Sequence, residues 1–220
     1  MNSLYSIAQP SKEAIKKQVA DMLASKEYDT ELLPTPEALE VIQDEINIYE
    51  GHFSNKRKTE YLAVCAPGGD FPFGFYDGMP IYLLLKYNAN GKLVWYKQWY
   101  AIAEVKDINN DGKSEVICKA NRCKDGKCTF EYSIMSFSGK KANMIYENHS
   151  FDNSGVMDDM QLKKGDTVSK VHEVSFSDED NDGVSELVET VLISYYDGPG
   201  KTEDKEERIV WKYRNGKFEK

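Results

Sequence analysis

The chain has 220 residues, enough to bury a sizeable core as one domain or as one domain with an appendage. Its net charge of −9, with lysines scattered among the acids, provides no concentrated positive field, which argues against nucleic acid or an anionic membrane surface as the main partner. No apolar run approaches the roughly 20 residues needed to span a bilayer.

The N-terminal stretch "MNSLYSIAQP" lacks the positive n-region and apolar h-region of a signal peptide, so the sequence reads as a mature secreted form or as a cytosolic chain. Ser11 is placed to cap a helix whose apolar face is Ile15, Val19, Met22 and Leu23. Thr35-Pro36 opens a second helical stretch, with Glu37 near the positive end of its dipole. Residues 1–50 are therefore expected to form a helical segment that packs on a β-domain spanning 51–220; a partner-binding arm is the alternative.

The β-domain reads as three modules, at about 51–99, 100–150 and 168–220. Each carries a strand after a loop: "KTEYLAVCA" (58–66), "SEVICKA" (114–120) and "SELVETVLISY" (185–195). Each closes with a hairpin whose turn glycine is Gly91, Gly139 or Gly216, preceded by Tyr87, Phe137 or Tyr213. Val116, Cys118 and Ala120 alternate with Glu115, Ile117 and Lys119, which is strand periodicity. The fold class is mainly β: repeated antiparallel four-stranded meanders, open and propeller-like or a sandwich, with an N-terminal helical segment. Three such units are too few to close a propeller.

Two of the modules begin with acidic loops, "DINNDGKSEVI" from Asp107 and "DEDNDGVSELV" from Asp178. Calcium takes six to eight hard oxygen ligands. Asp107, Asn109 and Asp111 stand at positions one, three and five; Gly112 permits the turn; Lys113 offers its carbonyl; Glu115 at position nine closes the set. Asp178, Asp180, Asp182, Gly183, Val184 through its carbonyl, and Glu186 repeat it. An EF-hand would instead close at position twelve between two helices. An acidic solvent-exposed turn is the non-metal alternative. These loops, each running into a strand, resemble the calcium loops of FG-GAP and VCBS repeats, as in integrin-alpha-like propellers. That resemblance covers the loops and, more weakly, residues 100–220; it departs at position nine, where the family usually has Asp. It implies two calcium sites. The first module retains only Glu60, beside His52, Ser54 and Lys56, and is expected to hold no metal.

Cys123 and Cys128 flank a short Asp125-Gly126 loop. Facing residues of a tight hairpin have Cα atoms about 4.5–5.5 Å apart, within disulfide range. Zinc and two free thiols are the alternatives; a disulfide favours an oxidising compartment, and hence a periplasmic, cell-surface or secreted protein. Cys65 and Cys118 share strand-face parity and would pair if their strands were neighbours.

No catalytic constellation is visible: His52, His149 and His172 are scattered, and no phosphate loop or nucleophile elbow appears. The segments 65–80, 121–128 and 195–207 read as insertions gathered at one end of the sheet. Phe71, Phe73, Phe75 and Tyr76 in the first, with Tyr195 and Tyr196 in the third, are the candidate partner-binding residues; the rings of the first are equally able to plug the sheet's end. The expected function is a calcium-stabilised envelope or secreted protein binding a protein or glycan. The alternatives are an inhibitor or immunity protein against a cell-wall hydrolase, and an enzyme or accessory protein of surface-polysaccharide assembly.

Overall fold

A computed structural model describes residues 9–25, 46–65, 75–76, 79–80 and 82–220. Ser11 Oγ accepts the Ala14 backbone N–H at 3.2 Å, and helix α1 (Lys12–Ser25) runs on from this cap. The stretch from Thr35-Pro36 lies outside the described residues. "INIYEG", with its β-branched and aromatic residues, forms β1 (Ile46–Gly51), so the sheet begins inside the segment expected to be helical.

The strands that follow are β2 (Glu60–Cys65), β3 (Phe75–Tyr76), β4 (Met79–Pro80), β5 (Tyr82–Tyr87), β6 (Leu93–Trp99), β7 (Ala101–Lys106) and β8 (Glu115–Lys124). They continue as β9 (Lys127–Ser138), β10 (Lys141–Asp152), β11 (Thr167–Ser177), β12 (Glu186–Gly198), β13 (Lys201–Arg214) and β14 (Lys217–Glu219). Three antiparallel sheets result: β1-β2-β5-β6, the short β3-β4 pair, and an eight-stranded meander from β7 to β14 in chain order. The protein is mainly β with one α-helix among the described residues, and neither large sheet closes on itself. The stretches expected as the second and third modules are continuous in one sheet. They are joined by only two residue pairs, Phe151 with Lys170 and Asp152 with Ser169.

Burial explains the layering. Tyr61, Ala63 and Cys65 of β2 pack with Leu83, Leu85 and Tyr87 of β5 under Ile15 and Val19 of α1. The alternate residues Leu62, Val64 and Leu84 face Val116, Cys118, Met135 and Phe137 of the larger sheet. Phe137 takes Trp95 and Phe53 edge-on, at ring-centroid distances of 5.1 and 6.0 Å. Ile117 and Ile134, on the opposite face of β8 and β9, meet Leu187 and Phe218 of the far half of the same sheet. The eight-stranded sheet therefore folds over on itself at its thin β10–β11 junction. β2 and β5 are covered on both faces, so their sequences are nearly continuous apolar runs rather than simple alternations. Gly91, at φ +74°, lies beneath the helix, where a Cβ would meet Pro10 at 3.2 Å.

Cys65 and Cys118 are both free and buried, one under the helix and the other between the sheets. The pairing that parity suggested fails because the two strands belong to different sheets. Burial pushes both thiols up to about 12.

Candidate functional site

The two acidic loops adopt one hydrogen-bonded form. In the first, Asp107 accepts the Asp111 and Gly112 N–H groups at 3.2 and 2.8 Å, and Asn109 Oδ1 accepts Asp111 N–H at 3.0 Å. Asp111 accepts Lys113 N–H at 2.8 Å, and Glu115 reaches back to Ile108 N–H at 3.0 Å. In the second, Asp178 accepts Asp182 and Gly183 N–H, each at 3.0 Å, and Asp180 accepts Asp182 N–H at 3.3 Å. Asp182 accepts Val184 N–H at 2.8 Å, and Glu186 accepts Glu179 N–H at 2.7 Å. Position four is left-handed in both (Asn110 φ 56°, Asn181 φ 60°), as is position six (Gly112 φ 82°, Gly183 φ 87°). Asn tolerates that region and Gly has no penalty there, which accounts for the recurrence of Asn-Asp-Gly. The loops touch: Asn110 Nδ2 donates to the Gly183 carbonyl at 3.2 Å.

Their electrostatics differ. Asp178, Asp180 and Glu186 bring one carboxylate oxygen each within 4.8 Å of one another, a hard-oxygen set that could hold a metal ion. Lys212 Nζ contacts Asp180 at 2.6 Å and Arg208 contacts Glu179 at 2.6 Å, so part of the acidic charge is met by nearby cations. In the first loop the neutral Asn109 takes the place of Asp180 and donates to Glu115 at 3.3 Å. Burial, together with the charges of Asp111 and Asp107, pushes the Glu115 carboxyl up to about 7, against the opposing pull of the Ile108 N–H. Lys113 Nζ pairs with Asp111 at 3.1 Å.

The corresponding loop at His52–Glu60 is built on an internal cation. Glu60 is buried at the start of β2, as Glu115 and Glu186 are at the starts of β8 and β12. It likewise accepts a loop N–H, from Ser54 at 2.6 Å. Lys86 of β5, fully buried, places its ammonium 2.8 Å from Glu60 and 3.3 Å from Ser54 Oγ. His52 N–H donates to Ser114 Oγ of the neighbouring loop at 3.3 Å, and a Cβ at Gly112 would meet the Lys56 side chain at 3.2 Å. All three loops thus stand side by side at one end of the sheets.

At the other end, Cys123 and Cys128 face each other in the β8–β9 register and are joined by a disulfide, S–S 2.06 Å. Residues 121–124 and 127–128, expected as an insertion, are strand, with only Asp125-Gly126 as the turn. Segment 195–207 is also strand: Tyr195 pairs with Glu203 and Tyr196 with Thr202, both tyrosines half-buried, in a hairpin turning at Pro199-Gly200. Phe71 and Phe73 lie outside the described residues. The Phe75 and Tyr76 backbones form β3, paired to β4, which lies against β8.

Two groups of polar residues escaped the sequence reading. Lys86 is one; its signal was a lone lysine inside "IYLLLKY". The other centres on Glu189, position twelve of the second loop, buried where an apolar residue would be expected. Its carboxylate takes Tyr146 OH at 2.8 Å, Trp211 Nε1 at 2.7 Å and the His172 Nδ1. Burial alone would raise this carboxyl, but those hydrogen bonds outweigh it and hold it at about 2.

Comparison with protein-family models, curated proteins and solved structures returns no match for this chain. The site's own chemistry must carry any functional reading.

Proposed function

We propose that this protein is a calcium-stabilised β-scaffold of the cell envelope or the secreted space that binds a protein or glycan partner. The observation that carries the calcium reading is the recurrence of one loop form at 107–115 and 178–186, with matched hydrogen bonds and matched left-handed positions. A turn needs one Asn-Gly or Asp-Gly pair; three further oxygen-bearing side chains at odd positions, repeated in both loops, are chemistry for a hard cation. Glu115 and Glu186, carboxylates buried at a loop's base, would serve as the closing ligands. The Cys123–Cys128 disulfide supports an oxidising compartment. The candidates for partner binding are Phe71, Phe73, Phe75, Tyr76, Tyr195 and Tyr196.

Melting in calcium and in chelator tests the metal reading. A ligand at a hundredfold excess over its dissociation constant stabilises by about 2.7 kcal/mol. For a chain of this length that raises Tm by about 5–11 °C. Equal melting in the two conditions would defeat it.

A further inference from the structure

The eight-stranded sheet opens into a wedge where β10 and β11 part after their two residue pairs. The wedge holds a cleft of about 520 Å³, within the roughly 300–1,000 Å³ that houses small ligands. One wall consists of two cross-strand rows: Lys119, Tyr132 and Asn148, then Asn121, Phe130 and Ser150. The other wall is β11, which presents Val171, His172 and Val174.

His172 is fixed from behind. Its backbone N–H donates to Ser150 Oγ at 3.0 Å, and its Nδ1 is held by Glu189, itself fixed by Tyr146 and Trp211. That arrangement leaves Nε2 as the ring nitrogen available to the cleft. Asn148 spends its amide N–H on Tyr146 at 2.9 Å, which leaves its carbonyl oxygen. Every sealed side-chain nitrogen and oxygen among the described residues has a partner. Nε2 of His172, Oδ1 of Asn148 and the Tyr132 hydroxyl have none among those residues, so they open onto the cleft. Tyr132 is held edge-on to Tyr146 at 6.1 Å, so its position is set by packing.

We propose that this cleft binds a neutral saccharide. A sugar ring presents an apolar C–H face, which the half-buried Phe130 matches, and hydroxyls that both donate and accept, which the amide, imidazole and phenol groups match. An anionic ligand is disfavoured: Glu131 and Glu173 line the same cleft against Lys119, and the chain carries −9 overall. A metal cation is disfavoured because Glu131 is already paired with His149 and the cleft's carboxylates do not converge. The disulfide at Cys123–Cys128 closes the β8–β9 hairpin just beyond Asn121 and Phe130, which stiffens this wall. The inference rests on the binding reading above for its biological sense, though not on the metal.

Titration of the intact protein with maltotriose, cellotriose and triacetylchitotriose, followed by NMR and calorimetry, tests it. Saturable binding of at least one trisaccharide is expected, with the shifted resonances at Asn121, Phe130, Tyr132 and His172. Tyr132→Phe, which keeps the ring, and Asn121→Ala, at an exposed position, should each weaken it about tenfold, the loss of one well-made hydrogen bond. Failure of all three sugars to bind, or binding that neither substitution alters, overturns the proposal. Running the titration in calcium and in chelator separates the readings. Sugar binding in a protein whose melting ignores calcium supports the cleft while defeating the metal. No sugar binding in a protein whose melting responds to calcium overturns the cleft alone.

Discussion

Replacing Lys86 by Met removes one half of an ion pair that has almost no access to water. The Lys86 side chain is fully buried, that of Glu60 is 6% exposed, and Nζ stands 2.8 Å from the carboxylate. At an effective dielectric near 20, the gross attraction at that distance is about 6 kcal/mol. Most of it offsets the desolvation of the two charges, so the intact pair contributes little net stability. The single substitution is different, because it leaves the Glu60 charge buried with only the Ser54 donors, at 2.6 Å from the backbone N–H and 2.8 Å from the hydroxyl. Breaking a buried pair in this way costs about 3–5 kcal/mol, which lowers Tm by about 6–20 °C for a chain of this length. The matched double substitution Glu60→Gln with Lys86→Met removes the orphan charge while an amide oxygen still accepts from Ser54, and should recover most of the loss. Thermal melting of wild type, single and double variants in one buffer is the assay. A single variant that melts within about 2 °C of wild type, or a double variant no better than the single, would refute the idea that an internal ammonium holds this loop together.

Asp182→Ala should reduce the calcium-dependent rise in Tm more than Asp111→Ala, since the second loop offers four carboxylates where the first offers three and Asn109; equal losses in calcium titrations would contradict that ranking. Reducing Cys123–Cys128 should lower stability by about 2 kcal/mol through the entropy of its short loop, about 4–8 °C in Tm, and peptide mapping without reductant should recover the 123–128 crosslink. Glu189 has a depressed folded-state pKa, so its contribution is complete above its ordinary value of 4.5 and is lost as pH falls towards about 2. Unfolding by urea across that window should show a steeper loss for wild type than for Glu189→Gln; parallel curves would mean that the carboxylate does not hold the His172, Tyr146 and Trp211 cluster together.

Sequence alone determined the local features of this protein. Ser11 as a cap, the Ile15 and Val19 stripe, the alternation along 115–120 and the left-handed demand of Asn-Asp-Gly all depend on residues within one turn or one strand, where sterics and hydrogen bonding act at short range. The Cys123–Cys128 bridge belongs with these, because a tight hairpin sets its geometry. Tertiary structure decided whatever depends on which faces meet. Cys65 and Cys118 have the same parity yet point into different cores, since their strands lie in different sheets. The 195–207 stretch looks polar enough to be a loop but is held as strand by its ladder to β12. Lys86 and Glu189 are buried charges whose partners only the fold supplies, Glu60 for one and His172, Tyr146 and Trp211 for the other. A charge is tolerated in a core only when its partners arrive from distant positions in the chain, and the periodicity of a single segment carries no record of those partners.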